Sequence, residues 1–171
     1  MIDLLARVEA TGLGTWLRLS PAIWAFPMVL TLHTIGLGLI VGASVVLNLR
    51  ILGVASLIPL KPLEKLFSIM WLGFALNAVT GLLLFTKDAT TVGVSGVFWV
   101  KMSSIALAIW VLTRIKTAVF EDPLVDERPV PNSVRALALV SILLWTIAIT
   151  AGRLMAYLGP TQPEAGILFS S

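Results

Sequence analysis

His33 is the only histidine in the 171-residue chain, and it stands in the middle of an apolar run, Ala22 to Gly53, that is long enough to cross a bilayer. An ionisable side chain inside a span is costly and often functional. Taking Trp24 as the interfacial aromatic, His33 falls roughly 13 Å deep, close to the midplane of an apolar core about 30 Å thick. Three chemistries are open to such a residue. It can be a neutral imidazole hydrogen-bonded to Asn77 or Thr80 that serves packing alone, an axial ligand to the iron of haem b, or a relay for protons or ions in a small-solute or proton pathway.

Two further residues carry charge into the apolar segments. Lys101 follows just inside Trp99, and Arg153 lies four residues before Tyr157. Both are therefore nearer the outer boundary than His33, where long basic side chains commonly snorkel. Turned inward, they would meet an anion, a carboxylated ligand, a lipid headgroup or the propionates of a haem. No Asp or Glu falls inside an apolar span, and Asp88 is the nearest carboxylate by position. The residues expected to line a pocket are His33, Asn77, Thr80, Lys101 and Arg153. Of these, His33 is the candidate haem ligand, and Lys101 and Arg153 are the candidate propionate partners.

Other chemistry is scarce. The chain has no cysteine, which removes thiolate nucleophiles, disulfides, iron–sulfur clusters and cysteine zinc sites. No paired carboxylates occur inside the spans for acid–base work, no Ser-His-Asp set can be assembled, and phosphate-binding glycine motifs are missing. No metal site and no catalytic residue are assigned. A bis-histidine haem would need a second chain, and the methionines Met28, Met70, Met102 and Met155 are the alternative axial ligands.

The elements that must position these residues are helices. The composition is 58% hydrophobic and only 12% charged with a net charge of +3, against roughly 25% charged in soluble domains, so nucleic acid is not a partner. The sequence predicts an all-α membrane protein, a four-transmembrane-helix bundle preceded by an N-terminal amphipathic helix in the membrane interface. Residues 1–20 form that interfacial helix, because Ile2, Leu5, Val8, Leu13, Trp16 and Leu17 recur at helical spacing. Gly12 and Gly14 are expected to bend it, and its alternating charges do not read as a cleavable signal. Ser20-Pro21 reads as a helix start. The spans are about 22–47, 67–85, 97–113 and 134–158 within a domain of residues 21–159, and 160–171 is a tail. A kink is expected at Pro27, and Gly159-Pro160 stops the last span.

Each span carries a polar or small-residue stripe. These are Gly36, Gly38 and Gly42 beside His33, then Gly73, Asn77, Thr80 and Gly81, then Lys101, Ser104 and Ala108, and finally Thr146, Thr150 and Arg153. Such stripes allow helices to pack closely in lipid and supply bonds between them. Arg50, Lys61, Lys65, Arg114, Lys116, Arg128 and Arg135 gather on one side of the spans. The positive-inside rule then places both termini outside, periplasmic in a bacterial inner membrane.

Five blocks in order, TLHTIGLGLIVG (31–42), LRILG (49–53), TGLLLF (80–85), FWVKM (98–102) and GRLMAY (152–157), resemble a family of small bacterial four-helix membrane proteins known as a domain of unknown function. They are more loosely similar to copper-resistance membrane proteins of the D type, whose additional histidines and methionine clusters this chain lacks. The resemblance implies the four-span fold and singles out His33, Arg50, Lys101 and Arg153. The function expected from the sequence is a non-enzymatic membrane subunit that binds a ligand or a partner through an outward-facing cationic pocket around His33. Its partners would be membrane lipid and either further copies of itself or another membrane or periplasmic protein.

Overall fold

The computed structural model describes residues 2–122 and 124–158. In chain order the helices are α1 (Ile2–Glu9), α2 (Gly12–Leu19), α3 (Phe26–Ile51), α4 (Leu66–Lys87), α5 (Ala89–Gly93), α6 (Gly96–Phe120) and α7 (Asn132–Leu158), with a 3-10 turn at Lys61–Lys65. Four of these helical stretches are long and apolar enough to cross a membrane, at mean hydropathies of 1.6 to 2.0. Large apolar side chains such as Ile35, Leu72, Leu82, Leu107 and Leu143 remain on the outside of the bundle, as lipid rather than water would require. The chain is an all-α, multi-pass membrane protein. The expected stop at Gly159-Pro160 and the 160–171 tail lie outside the described residues.

The helix ends differ from expectation for local reasons. Ser20 Oγ accepts from the Ala22 amide at 3.3 Å, closing a short side-chain turn rather than capping a helix. The helix begins only at Phe26, so Pro27 occupies its first turn. A missing N–H has no consequence there, and the cause of the expected kink disappears. At their other ends α3 runs on to Ile51 and α6 to Phe120. Asn48, Ile51, Ile115, Val119 and Phe120, all beyond or at the margin of the expected spans, are buried.

Packing organises the four long helices as two antiparallel hairpins, α3 with α4 and α6 with α7, joined along α3 and α7. The α3–α4 crossing is set by Gly36 and Gly73. A Cβ on Gly36 would lie 2.8 Å from the Asn77 backbone nitrogen, and one on Gly73 would lie 2.8 Å from the Gly36 carbonyl oxygen. Gly38 and Gly42, the GxxxG pair in the sequence, have open space where a Cβ would be. Aromatic pairs connect α4 to α6 at either end, Phe85 stacked on Phe98 and Phe67 edge-on to Phe120, both at 5.5 Å.

At the basic end, which holds the α3–α4 and α6–α7 connections, the Asp126 carboxylate accepts from the backbone amides of Leu60 and Lys61. One connection is thereby tied to the other. A fully buried polar set joins α3 to α7 close by. Asn48 Nδ2 donates to Ser141 Oγ at 2.9 Å and to Ser44 Oγ at 3.2 Å.

The terminal end of the bundle carries a built cap in place of the single bent helix expected there. The N-terminal segment breaks at Ala10–Thr11, where the Thr11 side chain caps α2. Gly14 serves close approach instead of bending, since a Cβ on it would lie 2.6 Å from the Thr86 carbonyl oxygen. The segment Ala89–Gly93 coils into α5, and Leu5 of α1 presses on Gly93. Glu9 Oε2 accepts from the Thr90 hydroxyl at 2.6 Å and the Thr90 amide at 3.0 Å, while Arg18 pairs with its other oxygen.

These Thr90 donors, with Arg18, hold the Glu9 carboxyl below the ordinary glutamate range. A depressed carboxyl contributes stability above its unfolded value and loses it as pH falls through the folded one. Glu9→Gln is accordingly expected to speed amide exchange across residues 2–19 at neutral pH by roughly fivefold, one charge-assisted bond discounted for exposure. Acidification below the ordinary glutamate range should loosen the same segment in the wild type and change the variant little there. Hydrogen-exchange mass spectrometry reads both. Equal exchange in the two proteins at neutral pH would show that Leu5 packing alone holds α1.

Candidate functional site at the terminal end

His33 sits about two turns into the first long helix, and the close α3–α4 crossing brings the second against it. Gly81 leaves room for the imidazole, its absent Cβ lying 3.1 Å from His33 Cε1. His33 Nδ1 is 3.0 Å from Thr80 Oγ1, and Asn77 Nδ2 donates to the His33 backbone carbonyl at 2.8 Å. Thr80 Oγ1 is also 2.6 Å from the Leu76 carbonyl oxygen. A hydroxyl has one proton, and the shorter contact to Leu76 assigns it there, as in i−4 back-bonding within helices. Thr80 then accepts from His33 Nδ1–H. The resulting tautomer leaves a lone pair on Nε2, which has no hydrogen-bond partner among the described residues.

From the other hairpin comes Lys101. It is half-buried, with its terminal carbon and Nζ both 3.7 Å from the position of a Gly152 Cβ. A side chain at residue 152 would occupy the surface along which Lys101 lies. No carboxylate pairs with the Lys101 ammonium among the described residues. Asp88, the nearest carboxylate by position, is taken by Lys87 at 2.6 Å. The Lys101 stripe continues inward through buried Ser104 and Ala108.

The polar residues fall in two clusters: His33 of α3 with Asn77, Thr80 and Gly81 of α4, and Lys101 of α6 with Gly152 of α7. Arg153 stands apart. It is exposed on the same face of α7 as Thr146 and Thr150, which are exposed too, and this face points away from the packed side formed by Ser141, Trp145 and Ala148. Gly81 and Gly152 are the contributors that a search for polar groups misses. Their signal is the adjacency Thr80-Gly81 and Gly152-Arg153, a missing side chain beside each polar one.

Chemically, the two clusters offer a lysine amine, a hydroxyl and an amide committed to backbone carbonyls, and one imidazole lone pair. Among the described residues no group of three or more His, Asp or Glu side chains could hold a metal ion. Comparison with protein-family models, curated proteins and solved structures yields no match to this chain.

Proposed function

We propose that the protein is a non-enzymatic subunit of the bacterial inner membrane that holds an anionic ligand, or an anionic group of a partner, at its terminal end. The observation that carries this reading is Lys101, a half-buried ammonium inside a span with no acidic partner among the described residues. A cation at that depth is costly unless paired. His33, Asn77 and Thr80 would form the opposite wall. His33 Nε2 can share the ligand's hydrogen-bond or metal-coordinating group, and Arg153 would lie at the rim. Membership in the family of small four-helix membrane proteins, carried by the five sequence blocks, belongs to the same reading. So does an orientation with both termini periplasmic, which rests on the lysine and arginine asymmetry.

A second reading is favoured by one contact. Metal-ligating histidines usually donate their other ring N–H to an oxygen, and His33 Nδ1 meets Thr80 in that manner. A haem b iron bound at Nε2 would need a second axial ligand from another chain or from a methionine, and would supply electron transfer.

One preparation tests both. The full chain is purified from haem-replete cells, its absorbance is read, and its co-purifying molecules are identified by native mass spectrometry. Lys101→Gln is expected to lose at least tenfold of a bound anionic species, and Lys101→Arg to keep most of it. A wild type without any anionic adduct, or a Lys101→Gln preparation that retains it unchanged, would sink the leading reading. A Soret band abolished in His33→Ala would establish haem instead.

A further inference from the structure

A second basic region lies at the opposite end of the bundle and owes nothing to His33. A cleft of about 340 Å³ opens between the 3-10 turn, the first turns of α4 and the C-terminal half of α6. Three lysines line it, Lys61, Lys65 and Lys116, against a single acid, Glu64. That acid is already engaged, since Lys61 Nζ lies 3.3 Å from Glu64 and 3.4 Å from the Phe120 carbonyl oxygen. Lys65 and Lys116 keep their charge uncompensated by any carboxylate among the described residues.

The arrangement is held by packing rather than by counter-charge. Lys116 Nζ lies over the Phe67 ring at 5.6 Å, and Phe67 is locked edge-on against Phe120. This cation–π contact holds the ammonium at the cleft without neutralising it. Ser68, exposed on the cleft wall, adds a hydroxyl to the lining. Trp71, one turn deeper, is 46% exposed, and Ile69 and Leu72 beside it on α4 face outward at 41% and 64%. The polar cleft therefore continues into an apolar surface along α4.

We infer that this cleft binds the phosphate of an anionic phospholipid, with Lys65, Lys116 and the Ser68 hydroxyl on the phosphate oxygens and Trp71 at the glycerol level. Charge selects an anion, and basic pockets between membrane helices take anionic headgroups by the same physics. The apolar continuation selects a lipid over free phosphate, because a small ion would leave Ile69 and Leu72 unused. The volume is in the range of sites that enclose small organic groups.

The test uses the full chain in neutral detergent, offered equal amounts of phosphatidylglycerol and phosphatidylcholine with matched chains, with bound lipid counted by native mass spectrometry. The wild type is expected to prefer phosphatidylglycerol. Lys65→Gln with Lys116→Gln should lower that preference by about fivefold per lysine, and the Lys→Arg pair should restore it. Arg135→Gln, an exposed basic residue of the same end that does not line the cleft, should leave it unchanged. Should the double variant fold poorly, Lys116→Gln alone is compared with Lys116→Arg. Undiminished preference in the Gln variants overturns the proposal. An equal loss in Arg135→Gln would assign the effect to diffuse surface charge and overturn it too. Displacement of phosphatidylglycerol by millimolar inorganic phosphate would make the ligand a free anion, against the lipid assignment.

Discussion

Gly36→Ala and Gly73→Ala are each expected to destabilise the bundle by about 2–3 kcal/mol, the upper part of the range for overpacked sites. The added methyl group would lie under 3 Å from backbone atoms of the opposite helix in both cases, the Asn77 nitrogen for Gly36 and the Gly36 oxygen and Ile40 nitrogen for Gly73. Backbone cannot rotate out of the way as a side chain can, so α3 and α4 must separate. Separation also lengthens the Asn77 bond to the His33 carbonyl, which crosses the same interface one turn away. Gly38→Ala and Gly42→Ala meet nothing within 4 Å and should stay within about 0.5 kcal/mol of wild type. Thermal or denaturant unfolding in detergent ranks the four variants. If Gly38→Ala costs as much as Gly36→Ala, the α3–α4 crossing does not run through Gly36.

Asn48→Ala should cost about 2 kcal/mol. Asn48 is fully buried and donates from one nitrogen to serines on two helices. Its removal leaves a cavity and strips Ser44 and Ser141 of their shared donor. A single interhelical hydrogen bond in a membrane contributes about 0.6 kcal/mol and at most about 1.7, and lost packing volume supplies the remainder. The double-mutant cycle of Asn48→Ala with Ser141→Ala separates these parts. Its coupling should fall between about 0.6 and 1.7 kcal/mol. A coupling near zero would mean that Asn48 acts by volume alone, since Ser44 and Ser141 are also 3.4 Å apart and would pair without it.

Gly36, Gly73 and Asn48 also mark where sequence reading succeeds and fails. Gly36 and Gly73 belong to stripes visible in the sequence, yet so do Gly38 and Gly42. A GxxxG spacing states that a close approach is available on one face, and it does not state which face a partner takes. Asn48 looks like the polar end of a span because it follows an apolar run and precedes Arg50. The tertiary structure keeps it helical and buried because Ser141, 93 residues later, offers it an oxygen. Hydropathy cannot register a partner so distant in sequence.

The candidate site divides in the same way. His33, Asn77, Thr80 and Lys101 stand out in the sequence as polar groups inside apolar spans; the structure sets His33 against Thr80 and Asn77 and Lys101 along Gly152. Arg153 stands out equally, and the structure leaves it on an exposed face of α7. One helical position, about 100° of rotation, separates Gly152 beside Lys101 from Arg153 outside. Rotation about a helix axis is fixed by what packs on the helix, not by its own composition. Near-uniform hydrophobicity around α3, α4 and α6 removes the amphipathic signal that reveals rotation in soluble helices.

The cap at the terminal end was the least legible part. Residues 89–93 carry turn-like and polar signals, and an isolated helix that short does not hold. It forms because Leu5 covers Gly93 and Glu9 accepts from the free amide and the hydroxyl of Thr90. The amino-acid sequence by itself determined that this chain forms four apolar helices with ionisable residues set inside them, since length and hydropathy are local properties and the bilayer-length runs follow from them. Only the tertiary structure decided which faces meet, which glycines are crossed, that Asn48 is core and Arg153 is not, and that Lys65 and Lys116 flank one cleft. Each of those depends on contacts between residues far apart in the chain, whose geometry no local pattern encodes.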